Sequence, residues 1–326
     1  MRQVLQRLAS VVQLTRVTGA FAAVANVWFV VVWTRSFAEE QGTPEIVEPP
    51  LWVPLAGSAV TALGLFAFGA TLNDVIDAKR DRRLRPDRPL ASERVSIELA
   101  MGLAIGTLLV AVLGSLTLGE SATLLTVLVA IAVTGYNVAG RFIPALGLPL
   151  LSVVYAGHML VPNVQLVFTW PVLLVLGHAL VIGLVSHIVS GRTPRLSVRA
   201  IAFTVAGWAG CSALLLWIGP SRGLGGGVWP EWVPLSVLIW IGASVTVLIF
   251  MCARRLARLG SGRRAAEKIQ RYGTLWPAVY ACVWMVGSGE LSGAWPLLTL
   301  AMAGVLGMTI LREAYSLVEE PIEFTW

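Results

Sequence analysis

Asn73, Asp74, Asp77 and Asp81 close an apolar stretch of about 23 residues, and a run of basic residues follows at once. On a helix, Asn73, Asp77 and Asp81 recur at i, i+4 and i+8, and Asp74 lies beside them, so all four share one face. Hard oxygen ligands at this spacing suit Mg²⁺, which takes one or two carboxylates plus substrate phosphates. Arg82 and Arg88 stand close by in sequence, and guanidinium groups hold phosphate oxygens well. The plainer alternative is a salt-bridged helix end, with Asp77 and Asp81 paired to the basic residues from Lys79 to Arg85. Exposed pairs of that kind contribute little.

The distribution of acids favours the chemical reading. Asp74, Asp77, Asp81 and Asp87 are the only aspartates in the chain, and residues 121–230 contain neither Asp nor Glu. A carboxylate near hydrocarbon is costly, up to about 2.5–3.5 kcal/mol at a bilayer centre. A sequence that avoids acids elsewhere and keeps three at one helix end has a use for them.

The elements that must position these residues are membrane helices. The chain has 326 residues, of which 56% are hydrophobic and only 13% charged, against about a quarter charged in soluble domains. Apolar runs recur from end to end, which predicts an all-α, polytopic membrane bundle and excludes a transmembrane barrel. Ten segments qualify: 17–34, 52–75, 95–117, 121–138, 145–167, 170–189, 197–217, 232–254, 270–288 and 293–312. One of them could be re-entrant, so the expectation is nine or ten spans in one domain, residues 1–326. Residues 1–34 read as a retained first span, since the apolar run is too long for a signal peptide.

The net charge of +6 could suggest nucleic acid, but its placement argues against that partner. Of 24 Lys and Arg, all but Arg35 and Arg222 fall at the N-terminus or in alternate loops. This pattern places the N-terminus on the cytoplasmic side of a plasma or inner membrane, with the basic loops against lipid headgroups. Cys211, Cys252 and Cys282 lie in apolar spans without metal or disulfide spacing. Trp33, Trp52, Trp170, Trp217, Trp229, Trp232 and Trp295 are expected to form an interfacial belt. His178, mid-span, is expected to find a backbone or hydroxyl partner, and His158 to be structural. His187, at the inner end of span six, could donate to a phosphate.

The stretch Asn73-Asp74-x-x-Asp77-x-x-x-Asp81-Arg82, followed by Pro86-Asp87-Arg88-Pro89-Leu90-Ala91-Ser92, resembles the first aspartate-rich motif of the UbiA superfamily of intramembrane prenyltransferases. Residues 16–26, from Arg16 to Asn26, resemble that family's first helix, in which an Asn faces the cavity. Tyr136 with Arg141 resembles a Tyr-x-x-x-Lys element, the basic residue standing one position late. The resemblance implies that Mg²⁺ on Asp74, Asp77 and Asp81 binds an isoprenyl diphosphate. The prenyl group then passes to a hydrophobic acceptor, aromatic or lipid. It also implies substrate-binding roles for Asn26, Asn73, Arg82, Arg88, Tyr136 and Arg141.

The sequence departs from that pattern after span six. The second acidic motif is replaced by residues 184–195, which contain Ser186, His187, Ser190, Arg192 and Arg195 but no carboxylate. This resembles a divergent branch, similar to the UbiA-like proteins called EboC. Two readings follow: one Mg²⁺ on the Asp trio with Arg192 and Arg195 supplying further positive charge, or a non-catalytic protein that binds or carries an isoprenoid lipid.

Overall fold

The computed structural model describes residue 14 and residues 20–192, 194–223 and 227–319. Each expected apolar segment coincides with a helix. These are α1 (Phe21–Ser36), α2 (Trp52–Leu84), α3 (Ile97–Leu116), α4 (Glu120–Val138), α5 (Pro144–Leu160), α6 (Trp170–Val189), α7 (Val198–Ser221), α8 (Val237–Leu259), α9 (Arg263–Gly287) and α10 (Leu291–Glu319). No strand occurs among the described residues. Among the described residues six helices (α2, α3, α4 with the turn after it, α6, α7 and α8) are long and apolar enough to cross a membrane. Three shorter apolar stretches lie at Phe21–Ser36, Pro144–Leu160 and Leu291–Gly304. The chain thus fits a multi-pass membrane protein.

Local chemistry sets several helix ends. The hydroxyls of Ser96 and Ser197 accept from the backbone N–H of Leu99 (3.2 Å) and Ala200 (3.1 Å), capping α3 and α7. Helix α2 runs past the expected end of its span to Leu84 and stops at Arg85, which precedes Pro86 and leaves helical geometry. Helix α5 ends at Leu160, earlier than the 145–167 segment suggested, and Pro162, which lacks an N–H, cannot continue its hydrogen-bond ladder. There Asn163 takes over, donating to Thr34 Oγ1 (3.0 Å) and to the Gln41 carbonyl (3.1 Å).

Small residues let α2 and α3 cross closely. A methyl group on Gly64 would sit 2.6 Å from the Thr107 carbonyl and 2.7 Å from the Ala111 nitrogen. Such contacts are the main source of helix association where lipid competes for apolar surface. Helix α1 packs on α2, α5, α9 and α10, and α9 packs on α6 and α8 as well.

The aromatic belt is split. Trp52, Trp217 and Trp295 are exposed, as expected, but Trp33 is fully buried. Its ring lies 5.8 Å from Phe168, 6.2 Å from Trp232 and 6.1 Å from Trp284. Trp229 and Trp232 join the same core. Position at the end of an apolar run does not distinguish a belt residue from one that neighbouring helices cover.

Candidate functional site

Asp74, Asp77 and Asp81 are 6%, 3% and 3% exposed, so the three carboxylates face the bundle and not solvent. Helix α2 continues without a break through all three, which is why the i, i+4, i+8 spacing holds. Each is held by guanidinium. Arg88 Nη1 donates to Asp81 Oδ2 at 2.6 Å and to Asp74 Oδ1 at 3.2 Å. Asp77 is gripped on both oxygens, by Arg141 Nη2 at 2.6 Å and Arg80 Nη2 at 2.7 Å.

Two local structures bring these arginines in. Residues 85–95 fold back over α2. Leu90 and Val95 bury against Ala78 and Ala100, while the Val95 N–H donates to the Pro89 carbonyl at 3.2 Å. Arg94 donates to the Asp87 carbonyl. Arg141 lies in a 3₁₀ turn, Gly140–Phe142, between α4 and α5. That turn sits against α5 because both contacting positions are glycine: a methyl on Gly147 would fall 2.2 Å from the Gly140 oxygen.

Asn73 connects the ionic cluster to a cavity. Its oxygen accepts from Arg141 Nη1 at 2.8 Å, and its amide donates to Asp74 Oδ1 at 3.3 Å. The same residue lines a cavity of about 260 Å³ between α1, α2, α4, α5 and α9. Asn26 and Tyr136 line it too, joined by Asn137, Tyr155, His158 and Thr274; the remaining lining is apolar or glycine, including Leu65, Phe66, Val129 and Pro277.

The structure therefore gathers Asp74, Asp77, Asp81, Asn73, Arg88, Arg141, Asn26 and Tyr136 from three helices and two connections. Others it places apart. Arg82 is exposed and faces Glu93 at 3.5 Å, because one residue past Asp81 is a rotation of about 100° around the helix. His187 Nε2 donates to the Pro194 carbonyl at 3.0 Å. Arg192 and Arg195 are exposed and pair with none of the three carboxylates, although Arg192 is near enough to act electrostatically on the Tyr136 hydroxyl. Among the described residues, positive charge at the carboxylates comes from Arg88, Arg141 and Arg80. Arg16 and the acidic tail residues Glu320 and Glu323 lie outside the described residues.

The Asp77–Arg80 pair falls within the salt-bridged helix end expected for Lys79–Arg85, while sequence reasoning missed Asn137, Tyr155 and Thr274 as parts of this region. For Arg80 the i, i+3 relation to Asp77 was visible; the cavity residues belong to other helices and carry no local signal. His178 behaves as expected. Its Nε2 donates to the Gly273 carbonyl at 2.7 Å, which leaves Nδ1 to accept from the Tyr280 hydroxyl at 3.2 Å.

Among the described residues no three His, Cys, Asp or Glu side chains are grouped to hold a metal ion. The donor chemistry nonetheless fits one Mg²⁺. Asp74 and Asp81 converge from two turns apart on a single Arg88 nitrogen, and two carboxylate oxygens meeting at a point form half of a Mg²⁺ site that phosphate and water complete. Residues 184–195 carry no carboxylate that could serve a second ion.

A buried ionic cluster opening on a largely apolar cavity, within a bundle of apolar helices, is suited in chemistry to a ligand with a charged head and an apolar body. The chain belongs to the UbiA prenyltransferase family, whose pattern matches residues 26–268. A structure bearing on the biosynthesis of digeranylgeranylglyceryl phosphate synthase in membranes aligns with a TM-score of 0.53 at 16% identity, over 86% of this chain and 98% of that one. The apo structure of a UbiA homolog from Aeropyrum pernix K1 aligns with a TM-score of 0.53 at 17% identity, over 82% of this chain and 97% of that one. At these identities the likeness concerns the fold. No curated protein sequence matches the chain.

Proposed function

We propose that this protein is a membrane prenyltransferase that binds an isoprenyl diphosphate and transfers the prenyl group to a hydrophobic acceptor, aromatic or lipid. Family membership supports the reaction class. The observation that carries the reading is the double role of Asn73, which touches both the carboxylate–guanidinium cluster and the cavity. A diphosphate at the cluster would thereby point its prenyl chain into apolar space.

In this reading Arg141 and Arg88 bind diphosphate oxygens, guanidinium being suited to phosphate by charge and shape. Asn73 and Tyr136 orient the head, and the apolar lining excludes water from the allylic carbon. The allylic C–O bond breaks with its electron pair leaving on diphosphate, an electron pair of the acceptor forms the new bond, and the proton the acceptor then gives up passes to the released diphosphate. Asp74, Asp77 and Asp81 would hold Mg²⁺, which when bound neutralises charge growing on the leaving group. In this reading the bundle is a single domain of nine or ten spans with its N-terminus cytoplasmic, in a plasma or inner membrane.

The test is diphosphate release from allylic donors with Mg²⁺, in the native protein and in Asp74→Asn. Release that depends on both Mg²⁺ and Asp74 is the expected result. The second reading, a lipid-diphosphate binder without turnover, is favoured by the absent second acidic set and by the arginines that neutralise the first. Metal-dependent donor binding, lost in Asp77→Ala, with no release above background would establish it.

A further inference from the structure

Arg88 differs from the other cations of the cluster. Arg80 and Arg141 share one carboxylate, Asp77, and use separate oxygens of it. Among the described residues it is Arg88 that joins two carboxylates, and it does so through one nitrogen, Nη1. Its remaining guanidinium N–H groups make no hydrogen bond among the described residues. Its side chain is 20% exposed, against 11% for Arg141. Its backbone is fixed: the Arg88 N–H donates to the Arg85 carbonyl at 3.1 Å, and the Arg88 carbonyl accepts from the Ser92 N–H at 2.9 Å and from Ser92 Oγ at 2.8 Å. A swing of this arginine therefore needs only side-chain rotation.

The point where Nη1 sits is also where oxygens of Asp74 and Asp81 converge. A divalent cation bound by both carboxylates would need that point, with metal–oxygen distances of about 2.0–2.1 Å. Two cations cannot share it, because like charges a few ångströms apart repel strongly in a partly buried site. Among the described residues three guanidiniums already pair with the three carboxylates, so a metal ion gains little there while Arg88 stays.

An arriving diphosphate changes the balance. It offers Arg88 a two-pronged partner in place of the single shared nitrogen, and it brings the oxygens a metal ion needs to complete its shell. We propose that Arg88 is an internal counter-ion which occupies the divalent-cation position and transfers to diphosphate. Cation and diphosphate binding are then cooperative, and a metal ion alone binds weakly. This rests on the functional reading above and adds to it an order of events and the residue that enforces it. By linkage the cooperativity is reciprocal.

The experiment uses the full chain in lipid nanodiscs. Mn²⁺ affinity is measured by electron paramagnetic resonance with and without inorganic pyrophosphate, after allowing for Mn²⁺ held by pyrophosphate in solution. The proteins are the native chain, Arg88→Gln and Arg82→Gln. The native protein should bind Mn²⁺ about tenfold or more tightly when pyrophosphate is present, the scale of an ordinary site–site coupling. Arg88→Gln should bind Mn²⁺ alone about tenfold more tightly than the native protein and gain little from pyrophosphate. Arg82→Gln removes the same charge from an exposed position nearby and should behave as native.

An unchanged Mn²⁺ affinity in Arg88→Gln overturns the proposal, as does an equal gain in Arg82→Gln, which would reflect general charge alone. If the native protein takes up no Mn²⁺ even with pyrophosphate, the metal-dependent reading itself fails, a result distinct from either of these. Circular dichroism and retained nanodisc incorporation show that Arg88→Gln is folded.

Discussion

Arg141 Nη2 lies 2.6 Å from Asp77 Oδ1 while its Nη1 lies 2.8 Å from the Asn73 oxygen, so one guanidinium from the α4–α5 turn clamps two successive turns of α2. The clamp uses the planar fork that lysine lacks. Removing it leaves Asp77 buried with only Arg80, whose side chain is half exposed. Loss of one partner of a buried pair costs about 3–5 kcal/mol when nothing replaces it. With Arg80 remaining, Arg141→Gln is expected to fall at or below the lower end of that range. Thermal unfolding in detergent should show a drop of several degrees, with Arg141→Lys intermediate. A melting temperature equal to that of the native protein would show that the clamp contributes nothing.

The same turn depends on two glycines. Gly147→Ala would drive a methyl into the Gly140 carbonyl carbon and oxygen, both backbone atoms that cannot rotate aside. The 3₁₀ turn must then lift from α5 and carry Arg141 away from Asp77. The expected result is loss of stability together with loss of pyrophosphate binding. Gly102→Ala is the matched control: its helix position is exposed and has nothing within 4 Å of a new methyl. Alanine there should be neutral or stabilising by up to about 1 kcal/mol, the helix-propensity difference. Equal effects at the two positions would exclude a packing explanation.

How far the sequence could be read follows from the range of the forces involved. The common face of Asp74, Asp77 and Asp81 was legible because helical periodicity is local and α2 is unbroken to Leu84. The identity of their partners was not. Arg82 and Arg88 are equivalent as letters near Asp81, yet the helix turns Arg82 outward, and only the fold-back of residues 85–95 brings Arg88 in. Arg192 and Arg195 looked suited to supply charge from the next connection, but Arg141 does so, because the contact between Gly140 and Gly147 brings its turn close. Trp33 was read as a belt residue for the same reason: its burial is the work of Phe168, Trp232 and Trp284, all distant in sequence.

The histidine buried between α6 and α9 offers a test away from the site. His178 donates from Nε2 to the Gly273 carbonyl, and the Tyr280 hydroxyl donates to Nδ1. Tyr280→Phe removes that donor and leaves a buried ring nitrogen unsatisfied, at a cost of about 1–3 kcal/mol. The drop in melting temperature should come without change in Mn²⁺ or pyrophosphate affinity, since neither residue lines the cavity. Altered ligand affinity in this variant would mean that the α6–α9 contact also shapes the site.

At the end of the bundle away from the aspartates, Arg35 closes the connection between α1 and α2. Its Nε donates to the Ile46 carbonyl at 2.8 Å, and its Nη2 donates to the Val47 carbonyl at 2.9 Å and to the Pro49 carbonyl. These carbonyls end a short helix, Pro44–Val47, whose own backbone cannot satisfy them. Arg35→Ala leaves them to water and frees a segment that contains four exposed glutamates, Glu39, Glu40, Glu45 and Glu48. Limited proteolysis with a glutamate-specific protease should then cut within residues 39–48 much faster than in the native protein, while pyrophosphate affinity stays the same. In sealed vesicles of known orientation the new cleavage should occur only from the non-cytoplasmic side. Cleavage from the cytoplasmic side would reverse the topology read from the charge pattern.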